Sequence, residues 1–128
     1  MSWYLDSSAI LKLIIDESES VAMRNIFDDR CATSVIARIE VVRNIRRVEP
    51  AALASAQEIL GRIAMIPLNE SALKTAEAIT ASTNLKSLDC IHIGSMISSP
   101  IPLQGIITYD KAMAANAEML GIKVLSPS

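Results

Sequence analysis

The chain has 128 residues and a formal charge of −2, and 51% of it is hydrophobic although only 3% is aromatic. That length suits one domain with a core of Ile, Leu, Val, Ala and Met, so neither a linker nor a second core is expected within residues 1–128. The charge balance excludes nucleic-acid binding through overall basicity, and Lys12, Asp16, Arg38 and Glu40 break the apolar runs short of a membrane span. With no basic leader before an apolar stretch, the chain reads as soluble and cytoplasmic.

Ser2 to Leu5 is an apolar run ended by Asp6-Ser7-Ser8, which predicts a strand followed by a helix starting near Ser7, with Ala9, Ile10, Leu13 and Ile14 at helical spacing. A second helical pattern runs from Glu17 to Asp29 through Val21, Ile26 and Phe27. Cys31-Ala32-Thr33 predicts a short strand. Ser34 then caps a helix reaching about Val48, whose expected buried stripe is Val35, Ile39, Val42 and Ile45. Pro50 suits the first turn of a helix running through Leu53, Ile59 and Leu60 to Gly61.

A strand is expected at Met65 to Leu68, and Asn69 opens a helix carrying Ala72, Leu73, Ala76 and Ile79. Ser87 is the expected cap of a helix with Leu88, Asp89, Ile91, His92 and Ser95, ended by Pro100 and Pro102. Gly105 to Tyr109 predicts a buried strand, Lys111 to Leu120 a helix closed by Gly121, and Ile122 to Leu125 a last strand. Nearly continuous apolar strands alternating with helices imply a mostly parallel sheet covered on both faces. Cys31 and Cys90 lie far apart in unlike contexts and read as buried thiols rather than a zinc pair.

In such a sheet, ligands bind beyond the carboxyl ends of the strands. Asp6 and Asp110 each follow an apolar strand, so both fall at that edge. Glu40 lies beside the expected buried stripe of its helix, and Asp89 stands in the first turn of an apolar one. Each acid alone has an ordinary explanation, Asp89 as a complement to a helix N-terminus and Glu40 as a partner of Arg43. Together they make a different case. Two like charges about 4 Å apart repel by roughly 4 kcal/mol at an effective dielectric near 20, so a carboxylate cluster calls for a cation. Carboxylate oxygens suit Mg²⁺ or Mn²⁺ rather than zinc, and such ions activate water for phosphodiester chemistry.

Leu5-Asp6-Ser7-Ser8-Ala9, Thr33-Ser34 with Glu40 further along, Leu88-Asp89-Cys90-Ile91-His92 and Ile107-Thr108-Tyr109-Asp110-Lys111 resemble the successive acidic motifs of PIN domains, and their order is similar to that of VapC-type toxins. The likeness extends to Leu120-Gly121-Ile122-Lys123-Val124 and so covers almost the whole chain. It implies a PIN-like three-layer α/β/α sandwich with a central, mostly parallel sheet. It also implies a Mg²⁺-dependent endoribonuclease in which Mn²⁺ can substitute, with Asp6, Glu40, Asp89 and Asp110 as the catalytic set. Asp6 and Asp89 would ligate the metal, and Glu40 and Asp110 would do so directly or through water. Ser7 and Thr108 match positions that lend hydroxyls near the metal. The implied partners are RNA, a second copy in a homodimer, and a VapB-type antitoxin whose tail enters the acidic groove.

His92 lies one turn beyond Asp89, as a packed core histidine or as a donor to the site. Arg43, Arg46 and Arg47 follow Glu40, and they suit RNA phosphates as well as the C-terminal end of a helix dipole. A phosphatase or phosphotransferase using Asp6 as nucleophile is the rival enzyme. Ser8 stands where one such class needs a second Asp, and no Gly-rich phosphate loop is present. A non-catalytic PIN-like interaction module is the other alternative, weakened by the complete acid set.

Overall fold

Successive side chains of a strand leave the sheet on opposite faces, and strands β1 (Ser2–Leu5) and β4 (Leu103–Ile107) use this to build two cores. Tyr4 and Ile106, paired in register, face one side, while Leu5 and Ile107 face the other. The computed structural model describes residues 2–79 and 85–128. With β2 (Ala32–Ser34), β3 (Ala64–Ile66) and β5 (Val124–Leu125), these strands form an all-parallel sheet in the order β3-β2-β1-β4-β5.

Helices α1 (Ser7–Ile14), α2 (Ser20–Ile26), α3 (Val35–Val48) and α4 (Leu53–Gly61) cover the Leu5 and Ile107 face. Their inward residues include Ile10, Met23, Val41, Ile45 and Leu60. On the Tyr4 face lie α6 (Ser87–Ile97) and α7 (Lys111–Met119), contributing Ile93, Met113 and Ala117, while α5 (Glu70–Glu77) packs closely on α6. The layers are therefore helix, sheet, helix, as the sequence predicts. The helix after β1 and the helix after β4 lie on opposite faces, so the neighbouring carboxyl ends of these two strands open a crevice between them. Among the described residues no helix is long and apolar enough to cross a membrane.

Local signals set most helix ends. The Asn69 side chain accepts from the Ala72 N–H and that of Ser34 from the Ala37 N–H, and Gly121 has φ 78°, the left-handed turn that closes α7. Pro50 opens a 3₁₀ turn, Pro50–Ala52, leading into α4.

Several expectations are corrected. The buried stripe of α3 is Ala37, Val41 and Ile45; Ile39 is exposed and Val35 and Val42 are only half-buried, because the helix is rotated to seat small Ala37 toward the sheet. Val21 is exposed, and the inward face of α2 is Ser20 and Met23. Lys86, not Ser87, is the N-cap residue of α6. β3 ends at Ile66 where its partner β2 ends at Ser34. β4 likewise stops at Ile107, opposite Leu5, leaving Thr108 and Tyr109 beyond the strand.

Candidate active site

Asp6 is the N-cap of α1, an acceptor's position at the positive end of a helix. Its Oδ1 accepts from the Ala9 N–H at 3.1 Å and from the Ser8 hydroxyl at 2.6 Å. Its Oδ2 accepts a short hydrogen bond from the Thr108 hydroxyl. The carboxyl is buried, and burial pushes its pKa above the usual carboxylate range while the Ser8, Thr108 and Ala9 donors pull it down. Thr108 Oγ1 in turn accepts from the Asp110 N–H at 3.1 Å, so one hydroxyl ties the ends of β1 and β4 together.

Asp110 caps α7, with Oδ1 accepting from the Ala112 and Met113 N–H groups at 2.9 and 3.1 Å. It is exposed, whereas Glu40 and Asp89 are half-buried, so the acids form a gradient from core to solvent. Asp89 projects from the first turn of α6, and no hydrogen bond ties down its carboxylate among the described residues. Burial raises its pKa, and the negative charges of Asp110 and Glu40 raise it further, against the opposing effect of His92. Glu40 Oε1 meets His92 Nε2 at 2.6 Å.

The four predicted acids are linked in pairs rather than gathered into one tight cluster among the described residues. Asp6 joins Asp110 through Thr108, and Asp89 feels both Asp110 and Glu40. Among the described residues no three His, Cys, Asp or Glu side chains converge as a closed metal-binding group. A hard divalent ion of the Mg²⁺ type needs only one or two carboxylates with water completing its shell, and an all-oxygen set with an unpaired, charge-crowded Asp89 has the chemistry to attract one.

Thr108 donates its hydroxyl to Asp6, whereas Ser7 makes no such hydrogen bond among the described residues. Ser7 lines a cleft of about 910 Å³ that includes Glu40 alone of the four acids, with Leu11, Ile39 and Leu88. Ser8 bonds Asp6 instead, and its Oγ also accepts from the Tyr109 N–H at 2.9 Å and lies 3.3 Å from Thr108 Oγ1. The missed signal was Asp6 as helix cap, since an N-cap carboxylate faces the second and third helical residues rather than the first. Arg43, Arg46 and Arg47, exposed on the same helix as Glu40, line the same cleft. Sequence reasoning also missed Tyr4 and Ser34 as polar participants: Tyr4 donates to Ser34 Oγ at 2.9 Å and meets His92 Nδ1 at 2.7 Å.

The family model described as PIN domain matches residues 3–119. The chain is 33% identical over 130 residues to Ribonuclease VapC35 of Mycobacterium tuberculosis, covering 97% of this chain and 96% of that protein. Among solved structures it resembles the toxin-antitoxin complex from Klebsiella pneumoniae, with TM-score 0.76, 17% identity and 98% of each chain covered. It is also similar to the sarcin-ricin loop cleaving toxin VapC20 of Mycobacterium tuberculosis, with TM-score 0.75 and 14% identity over 99% of this chain and 100% of that one.

Proposed function

Because the chain belongs to the PIN-domain family and, within it, to the VapC type, we propose that it is the toxin of a toxin-antitoxin pair and a Mg²⁺-dependent endoribonuclease, with Mn²⁺ able to substitute. The observation that carries the metal-dependent reading is Asp89, a half-buried carboxylate without a hydrogen bond among the described residues, crowded by Asp110 and Glu40. Full-length similarity to Ribonuclease VapC35 supports RNA as the substrate.

On this reading Asp6 and Asp89 hold the metal, and Glu40 and Asp110 complete its surroundings directly or through water. When bound, the ion supplies an activated water and neutralises charge on the phosphodiester. The chain's own residues do the rest. Ser8, Thr108 and the Ala9 N–H hold the Asp6 carboxylate in one orientation. Arg43 and Arg46 offer cationic contacts for RNA phosphates along the cleft wall. The Klebsiella pneumoniae protein was solved as a toxin-antitoxin complex, which supports a cognate antitoxin, expected to be of the VapB type; the chain is also expected to form a homodimer.

The test is purified protein incubated with RNA and with a phosphomonoester, in Mg²⁺, in Mn²⁺ and in EDTA. RNA cleavage that needs a metal and disappears in Asp89→Asn supports the proposal. Phosphomonoester hydrolysis without RNA cleavage would replace it with the phosphatase reading. In the same assay Arg43→Ala and Arg46→Ala should raise KM for RNA and flatten its salt dependence.

A further inference from the structure

Four side chains, from β1, the junction of β2 with α3, α3 itself and α6, close a ring of polar contacts beneath the acidic crevice. Ser34, the N-cap of α3, accepts from the Tyr4 hydroxyl at 2.9 Å and from the Ala37 N–H at 3.4 Å. The Tyr4 oxygen, on β1, meets His92 Nδ1 of α6 at 2.7 Å. The other ring nitrogen, Nε2, meets Oε1 of Glu40 at 2.6 Å, which returns the path to α3 two turns beyond Ser34. Tyr4, Ser34 and His92 are buried, and the Tyr4 and His92 rings meet edge to face with centroids 6.0 Å apart. Of these four, only Glu40 is substantially solvent-accessible, at 31% of its side chain.

Buried polar atoms are costly unless partnered, and here the partnering has a directional result. The Tyr4 hydroxyl, bonded to Ser34, also meets Nδ1, and that second contact fixes the plane of the imidazole. A fixed ring holds Nε2 in one place, and Nε2 selects one of the two Glu40 oxygens. A half-exposed glutamate otherwise samples several rotamers.

We propose that Tyr4 is a positioning residue: acting through His92, it holds the Glu40 carboxylate in one orientation, with Oε1 engaged and Oε2 left to serve the acidic site. The role toward a metal rests on the reading under Proposed function, whereas the holding of Glu40 does not. Ser34 is the anchor of the Tyr4 hydroxyl, and His92 is the rigid link.

Tyr4→Phe removes one oxygen and keeps the buried ring. It should weaken Mn²⁺ binding, followed by titration of the unliganded ion's magnetic-resonance signal, by about tenfold, the lower end of what loss of an outer hydrogen-bond partner costs a metal ligand. In a Glu40→Ala background the same change should weaken Mn²⁺ binding less than about twofold, because its route to the metal is gone. Equal losses in both backgrounds, or none in either, would overturn the proposal. His92→Gln, which keeps a donor for Glu40 while losing the contact to Tyr4, should fall between wild type and His92→Leu; it supplies the same comparison should Tyr4→Phe not fold.

A second measurement needs no metal. His92 is the chain's single histidine, so its ring nitrogens give unambiguous nitrogen-15 resonances, and Glu40→Gln identifies the Glu40 carboxyl carbon. Tyr4→Phe should shift the Nδ1 resonance and also the Glu40 carboxyl resonance. An unmoved Glu40 signal rejects the positioning of Glu40 by Tyr4, even if Mn²⁺ binds. A wild-type protein that takes up no Mn²⁺ but shows the shift rejects the metal-centre reading and supports the positioning.

Discussion

Thr108, the first residue beyond β4, donates its hydroxyl hydrogen to the buried carboxylate of Asp6 at the end of β1. Because Thr108 Oγ1 also accepts the Asp110 N–H, one side chain links two helix-capping acids that lie beyond the ends of neighbouring strands. Thr108→Val keeps the shape and deletes that link, leaving a buried carboxylate with fewer donors. A loss of about 1–3 kcal/mol is expected in urea unfolding, together with reduced RNA cleavage. Thr108→Ser, which retains the hydroxyl, should keep most of both. A Val variant with unchanged stability and activity would show that Asp6 does not depend on Thr108.

Asp89→Asn separates charge crowding from structural support. Asp89 makes no hydrogen bond among the described residues and is crowded by Asp110 and Glu40. Neutralising it should leave the melting temperature in EDTA equal to or above that of wild type. Added Mg²⁺ or Mn²⁺ should raise the wild-type melting temperature and leave the variant nearly unchanged, with nuclease activity lost. Were Asp89 chiefly a partner of the helix dipole, its neutralisation would destabilise by roughly 0.3–1 kcal/mol in every condition; calorimetry with and without metal decides.

The pH dependence of the metal-free protein has a definite sign. Burial pushes the carboxyls of both Asp6 and Asp89 above their ordinary range in the folded state. Between the ordinary and the raised values the folded protein therefore binds more protons than the unfolded chain, and stability falls as pH rises through that window. Urea midpoints in EDTA should be higher at mildly acidic pH than at neutral pH, and Asp89→Asn should flatten the difference. Saturating Mn²⁺ should reverse the trend, since the ion competes with protons for the same oxygens. Midpoints in EDTA that climb steadily from acidic to neutral pH would contradict the raised values.

Gly94 marks where α6 comes against α5. A methyl group there would collide with the Ala72 carbonyl oxygen and crowd Ala76, whose N and Cβ would lie 3.0 and 3.2 Å away. Gly94→Ala should cost about 1–3 kcal/mol. Gly61→Ala, at the end of α4 with nothing within 4 Å of the added atom, should be neutral or stabilising by up to about 1 kcal/mol. Equal denaturant midpoints for the two variants would show that the α5 and α6 contact is less close than described.

The alternation of apolar strands with capped helices was legible from residue order because these signals are local: Asn69 and Ser34 cap their own helices, and Gly121 closes its own turn. The same locality placed Asp6 and Asp110 at one edge, since Asp6 directly follows β1 and Asp110 comes three residues after the end of its parallel neighbour β4. What residue order left open was rotation. Whether Ser7 or Ser8 faces Asp6, and whether Ile39 or Val41 faces the core, depends on how a helix is turned about its axis, and periodicity fixes spacing along a helix without naming the neighbour it packs against. Tyr4, His92 and Glu40 meet across separations of 88 and 52 residues. Only the packing of α3 and α6 over the end of β1 brings their polar atoms within reach, and no spacing in the chain encodes it.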